Sequence, residues 1–174
     1  MHKLKLRALD QDDLTVFSAY LQDALVVTED IAYDPKHRDF TMMLNRYIWE
    51  DDISAPESRE NDMGATPSIL DEEDRTTQTP QCHRIRTAIH FKNIMAVKSQ
   101  NIPQSLKDHT LELLAIESHP LDDQQFDIDF IFSGDERLRL KAEVIEGLLQ
   151  DIGEHWQVKC QPSHKVLNGT SSSS

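Results

Sequence analysis

Residues 126–142 have the sequence FDIDFIFSGDERLRLKA, which consists of two alternating segments joined by a polar turn. Phe and Ile, and then Leu and Ala, occupy every second position, while acids and bases fill most of the positions between them. A period of two places the apolar side chains on one face of a strand and the charged side chains on the other. The turn at residues 133–136 is typical of a hairpin. This stretch therefore predicts two antiparallel strands with one buried face and one charged face.

Similar patterns upstream predict the rest of a sheet. Alternation or a short apolar run marks each segment, and the turn-rich segment 34–39 joins two of them as a hairpin. Short connections between consecutive strands favour antiparallel pairing. The predicted strands are residues 3–8, 25–33, 40–49, 83–91, 94–97 and 110–117.

Two segments have helical rather than strand spacing. Asp10 offers an N-cap, and Leu14, Phe17 and Leu21 recur at helical intervals, which predicts a helix from about Asp12 to Asp23. A second apolar stripe near the end of the chain predicts a C-terminal helix. Its members are Val144, Ile145, Leu148, Leu149, Ile152 and Trp156.

These elements predict an α+β fold with a bent antiparallel sheet of about six to seven strands and the C-terminal helix packed on it. A bent sheet closed by such a helix resembles the pleckstrin-homology-like barrel. We expect a single domain over residues 1–164, with a mobile acidic insertion at 50–81 and a disordered tail at 165–174. Residues 50–80 contain ten acids and two bases, which gives this segment a charge of -8.

The overall charge excludes several classes of protein. The chain has 31 acids against 18 bases and a net charge of -13, which disfavours nucleic-acid binding and association with an anionic membrane surface.

The N-terminal residues contain no apolar run of the kind found in signal peptides, which predicts a cytoplasmic location. Cys82 and Cys160 lie far apart in sequence, so we expect two free thiols in a reducing compartment.

No arrangement of residues in the sequence is typical of a reaction centre. The eight histidines have no metal-ligand spacing, and the chain has no recognised nucleophile motif or phosphate-binding loop. We therefore expect no metal, no cofactor and no catalytic residues. Asp127 and Asp129 share one strand face and form the best carboxylate pair, although solvation of both is the simpler expectation.

Two basic rows are the strongest candidates for a binding site. If the strands that carry them share a surface, they form a positive strip on an acidic protein, suited to a small anion or an acidic protein partner. The competing interpretation is ordinary protection of a sheet surface. The rows consist of Arg84, Arg86, His90 and Lys92, and of Arg137, Arg139 and Lys141.

Several stretches in the same order along the chain resemble a bacterial family, seen in alphaproteobacteria, that is catalogued as domain of unknown function 2948. They are residues 4–10, 21–24, 30–33, 44–50, 94–99, 113–116 and 128–156. The resemblance covers most of residues 3–164 and leaves out the acidic insertion. It implies a small cytoplasmic protein without an assigned activity, and it carries over no site residues.

The sequence therefore favours a non-enzymatic ligand-binding or protein-interaction module. The alternative is a small hydrolase-type enzyme with a site formed by Asp127, Asp129 and a neighbouring histidine. A third hypothesis is a homo-oligomeric subunit, because Tyr47 and Trp49 form an aromatic row on one strand face.

Overall fold

The computed structural model describes residues 3–49 and 81–160. These residues form one α-helix and nine β-strands, with a short 3-10 turn at Ser133–Asp135. In chain order the elements are β1 (Lys5–Ala8), α1 (Gln11–Leu21), β2 (Leu25–Asp34), β3 (Asp39–Tyr47), β4 (Gln81–Phe91), β5 (Ile94–Gln100), β6 (Thr110–Pro120), β7 (Phe126–Phe132), β8 (Arg137–Ala142) and β9 (Gly147–Lys159).

The strands form one antiparallel sheet with the order β1-β9-β4-β3-β2-β6-β7-β8-β5. Phe130 of β7 lies 5.9 Å from Phe40 of β3 and 6.2 Å from Phe91 of β4, measured between ring centroids. Because β2 and β6 separate β3 from β7 in the sheet, these contacts require the sheet to bend until its two halves face each other. The apolar faces of both halves therefore enclose a common core.

Helix α1 closes part of this core. Its N-cap is Asp10, whose side chain accepts a hydrogen bond of 2.9 Å from the amide of Asp13. Leu14, Phe17 and Leu21 are fully or almost fully buried. The predicted N-terminal helix is therefore confirmed, with its start and its end each one or two residues earlier than expected.

The predicted α+β class and the antiparallel sheet are also confirmed. The hairpin β7–β8 has the bounds that alternation predicted, and β2 and β3 are joined across residues 34–39 as expected. In the described residues the sheet has nine strands, two or three more than predicted.

The predicted C-terminal helix is wrong, because Leu148, Leu149, Ile152 and Trp156 of the stripe lie in β9, and Val144 and Ile145 lie in the connection before it. Gly147, Leu149 and Asp151 point inward along this strand, and Leu148 and Ile152 lie on its other face. Asp151 interrupts the apolar positions of the buried face, and Leu148 and Ile152 add apolar residues on the other face, so the spacing in the sequence resembles that of an amphipathic helix. The resemblance to the pleckstrin-homology-like barrel depended on this helix and loses its basis.

Asp151 and Arg46 form a buried ion pair, in which each charge compensates the other. The Nε and Nη2 atoms of Arg46 donate to the two carboxylate oxygens at 2.8 and 2.7 Å, and both side chains are 1% exposed. The amide of Leu4 and the hydroxyl of Thr87 also donate to Asp151, at 2.9 and 2.8 Å. Burial alone would raise the pKa of Asp151, but the hydrogen bonds, led by that from Arg46, outweigh it and hold the pKa below its usual value.

The expectation of two free thiols is also wrong, because Cys82 and Cys160 form a disulfide. Cys82 lies in β4, and Cys160 directly follows β9, the strand with which β4 pairs. A helix at the C-terminal end gave no reason to place the two sulfurs together. The β4–β9 ladder does, because Cys82 is opposite Val158, two residues before Cys160.

Two of the predicted segments lie outside the described residues. They are the acidic insertion, apart from Gln81, and the tail at 165–174. Within 3–49 and 81–160, no helix is long and apolar enough to span a bilayer.

Candidate functional site

The two predicted basic rows lie in different halves of the sheet. The first row lies on β4, apart from Lys92 in the turn that follows it, and the second row lies on β8. Strands β3, β2, β6 and β7 separate β4 from β8 in the sheet. The rows therefore do not form one continuous strip, and each must be assessed by its own contacts.

The β4 row is largely engaged within the protein. Arg84 is 5% exposed, lies 3.7 Å above the ring of Tyr47 and donates to the carbonyl of Asn45 at 2.7 Å. The guanidinium of Arg86 pairs with Asp30 at 2.8 Å. These partners leave little positive charge free for a ligand on this strand.

The other two members of the β4 row differ from each other. The Nε2 atom of His90 lies 3.6 Å from the carboxylate of Asp39. Lys92 is exposed, and its side chain has no ion-pair partner in the described part of the chain. It is therefore a suitable control position for charge substitutions elsewhere.

The aromatic row that motivated the homo-oligomer hypothesis is only partly at the surface. Tyr47 is 4% exposed and lies beneath Arg84, whereas Trp49 is 38% exposed. Self-association stays a prediction.

The outer face of β7 and β8 contains a second buried carboxylate, which the sequence did not indicate. Asp129 is 1% exposed, and both its oxygens accept hydrogen bonds of 2.7 Å from Arg139, its cross-strand partner. The hydrogen bonds that Arg139 donates to Asp129 raise the pKa of Arg139 further above its already high value. The expectation that both Asp127 and Asp129 are solvated is therefore wrong for Asp129. This pair fixes the guanidinium of Arg139 in one orientation.

Beside this pair, β5, β7 and β8 form a cationic concavity. On β5, Lys98 is opposite Arg139 and Ala96 is opposite Lys141. Their side chains surround a space of about 210 Å³. Its lining consists of Ala96, Lys98, Leu121, Asp127, Arg139 and Lys141.

The two lysines of the cationic concavity are available to a ligand. Lys98 and Lys141 are exposed, and neither has an ion-pair partner among residues 3–49 and 81–160. Lys98 was not predicted as a site residue, because the apolar signal for β5 ended at Val97. The observed strand continues through three exposed polar residues, and this extension places Lys98 beside β8.

A histidine also lies close to the buried carboxylate. The Nε2 atom of His119 is 3.8 Å from Oδ2 of Asp129 and 3.7 Å from Oε2 of Glu117, and His119 is opposite Asp127 in the β6–β7 register. It also borders a groove of about 390 Å³ between α1 and β6. The structure therefore brings together the residue types of the alternative hydrolase site, although Asp129 already has both oxygens bound to Arg139.

The described residues contain no group of three or more His, Cys, Asp or Glu side chains arranged to hold a metal ion. The contacts around Asp129 instead consist of carboxylates paired with guanidinium groups, with Arg137 at 3.6 Å as a second cation. This surface therefore carries paired charges.

The structure thus defines an α+β protein with a bent antiparallel sheet and a charged outer face on β6, β7, β8 and β5. A family model described as Protein of unknown function (DUF2948) matches residues 4–164. The chain belongs to this family. No curated protein and no solved structure shows a significant match to it.

Proposed function

We propose that this protein is a non-enzymatic binding module that holds an anionic group in the cationic concavity between β5, β7 and β8. The observation that carries the proposal is the convergence of two unpaired lysines on one oriented arginine. The ligand is either a small anion or an acidic side chain of a protein partner.

Arg139 supplies directional hydrogen bonds in this site. It gives two of its N–H groups to Asp129, and its Nη1 atom also lies 3.6 Å from Oδ2 of Asp127, so a ligand binds at the N–H groups that remain and competes with Asp127 for Nη1. Because the buried pair already holds the guanidinium in place, a bound carboxylate or phosphate need not order this side chain again. Lys98 and Lys141 add mobile charges on either side.

The charge balance within the cationic concavity favours an anion. Three cations line it, and two carboxylates oppose them, since Asp127 is also in the lining and Asp129 is paired with Arg139; three minus two leaves a local charge of +1. The protein as a whole has a net charge of -13, which opposes the approach of an anion from a distance. At about 0.1 M salt the screening length is roughly 10 Å, so the nearby cations decide the affinity.

The volume limits the size of the group that binds. A space of about 210 Å³ corresponds to roughly seven water molecules at their volume in the liquid. It is smaller than the roughly 300 Å³ at which sites for drug-sized ligands begin. One carboxylate or phosphate group fits, and a larger ligand must extend out of the site.

Titrations with inorganic phosphate and citrate, followed by amide NMR shifts, test this proposal. We expect the shifts to centre on Lys98, Arg139 and Lys141. Lys98→Glu and Lys141→Glu should each weaken binding by about tenfold or more, since each replaces a charge-assisted contact with repulsion. The control is Lys92→Glu, which makes the same change in charge in the turn between β4 and β5, at a residue that does not line the cationic concavity. Equal losses in all three variants, or no binding, would contradict the proposal.

The proximity of His119 to Asp129 supports a second candidate, a hydrolase site. In this case His119, whose side chain is 52% exposed, would be the general base. This function has weaker support, because Asp129 is buried and both its oxygens already bind Arg139. Turnover of ester or phosphoester substrates that is lost in His119→Ala and retained in Lys98→Glu would favour it.

A further inference from the structure

We propose that the anionic group belongs to an extended acidic segment of a partner protein, which adds to the sheet as a strand beside β5. This inference rests on the proposed function, because an acidic side chain of the segment would occupy the cationic concavity. It adds the class of partner and the backbone contacts that hold it.

The first observation is that β5 is an edge strand with an open side. It stands last in the sheet order and pairs only with β8. Its final three residues, Lys98, Ser99 and Gln100, are all exposed. An edge of this kind presents unpaired N–H and C=O groups that can accept another strand.

The backbone contacts show where the open side begins. The amide of Ile94 donates to the carbonyl of Arg38 at 2.9 Å, and the carbonyl of Ile94 accepts from the hydroxyl of Tyr33 at 3.0 Å. Both partners lie away from β8. Beyond Ile94, no further backbone hydrogen bond in the described residues occupies this side of β5.

The register identifies the groups available to a new strand. In antiparallel pairs, the backbone groups of successive residues point alternately toward either neighbour. The amide of Phe132 donates to the carbonyl of Glu136, so alternation directs the backbone groups of Leu138 and Leu140 to β7 and those of Arg139 to β5. Val97 and Ser99 are opposite Leu140 and Leu138, and their N–H and C=O groups therefore face the open side. An added strand would therefore form its hydrogen bonds with these two residues.

The side chains place the charge recognition next to these backbone groups. Lys98 lies between Val97 and Ser99 and points to the opposite face of the strand, where it lines the cationic concavity with Arg139. An acidic residue of the added strand beside Lys98 would be its lateral neighbour. Opposite charges in such positions stabilise strand pairing.

The other sheet edge is a weaker acceptor. β1 has only four residues, Lys5–Ala8, and α1 packs against it. Lys5 and Arg7 of β1 are also exposed, so the short length of β1 and the helix beside it, rather than its charge, make it the weaker acceptor. The longer strand β5 is therefore the better acceptor, and Lys98 favours an acidic partner there.

A peptide comparison tests the inference in the unaltered protein. The probe is a short blocked peptide of alternating Glu and Val, and its control is the same peptide with an N-methyl group on every backbone amide. Both have the same charge, but the methylated peptide cannot complete a strand ladder. We expect the methylated peptide to bind about tenfold more weakly or worse, and the unmodified peptide to slow hydrogen exchange at Val97 and Ser99.

A second arm uses the variant Ser99→Pro, which removes one backbone donor from the open side, with Ser99→Ala as its matched control. We expect Ser99→Pro to lose peptide binding and to bind inorganic phosphate as the wild type does. If both peptides bind equally well and Lys98→Glu weakens both, strand addition is refuted while anion binding stands. If neither phosphate nor peptide binds, the proposed function itself fails. Dimerisation of the protein through β5 without peptide would also refute the inference.

Discussion

The buried pair of Arg46 and Asp151 gives the sharpest prediction about stability. Replacing Asp151 with Asn keeps the size of the side chain and an oxygen that can accept from the amide of Leu4. It removes the negative charge that both guanidinium nitrogens contact at 2.8 and 2.7 Å. Arg46, at 1% exposure, then stays buried without that carboxylate.

The expected loss is large because the pair is desolvated. Breaking a buried ion pair by removing one partner costs about 3–5 kcal/mol, since the other charge stays buried and loses the carboxylate that it contacted. Arg46→Met removes that charge as well. The double variant Arg46→Met/Asp151→Asn should therefore be more stable, by about 2 kcal/mol, than the sum of the two single losses predicts.

Equilibrium unfolding in urea, followed by tryptophan fluorescence and circular dichroism, measures these free energies. Asp123→Asn is the control, because this exposed acid has no ion pair in the described residues and should change stability by less than about 0.5 kcal/mol. A loss below about 1 kcal/mol for Asp151→Asn, or additivity of the double variant, would refute the reasoning.

Three further predictions concern acid, packing and the disulfide. The lowered pKa of Asp151 adds stability that is complete above the unfolded pKa of about 3.9 and is lost as pH falls through the folded value. Asp151→Asn should therefore flatten the dependence of the unfolding free energy on pH below about 4. An unchanged slope would contradict this prediction. Gly147→Ala would place a Cβ atom 2.6 Å from the ring of Phe91, and urea unfolding should show a loss of about 1–3 kcal/mol, whereas no loss would mean that the ring moves freely. The disulfide closes a loop with a sequence separation of 78 residues, so replacing both Cys82 and Cys160 by Ser should lower the free energy of unfolding by up to about 4 kcal/mol. If a dithiol reductant does not change the stability of the wild type, the bond does not form.

The strands with strict alternation were predictable from the sequence, and the sheet order was not. The hairpin β7–β8 has polar positions on one face and a turn at Gly134, which fix its register locally. Nothing local indicates that four strands separate β4 from β8, so the two basic rows were predicted to share a surface that they do not share.

The buried charges account for the other errors. Because Asp151 lies on the inner face of β9, the sequence of this strand has apolar spacing that resembles a helix. The wrong helix prediction gave no pairing between β4 and β9, so the disulfide between Cys82 and Cys160 was not predicted. Asp129 was expected to be solvated, because alternation predicts only that its side chain lies on the outer face of the strand. It does not predict that Arg139 of the neighbouring strand covers this side chain. These pairs form between residues on different strands, so the sequence patterns, which are local, could not indicate them.

The position of β9 between β1 and β4 has a consequence for the nascent chain. Leu4 and Asp151, which are joined by two hydrogen bonds, are 147 residues apart in sequence. At synthesis rates of roughly 5–20 residues per second, the ribosome adds Asp151 about 7–30 s after it has added Leu4. During this interval β1 has no neighbour in the sheet, so translation arrested before residue 147 leaves it exposed to chaperones and proteases.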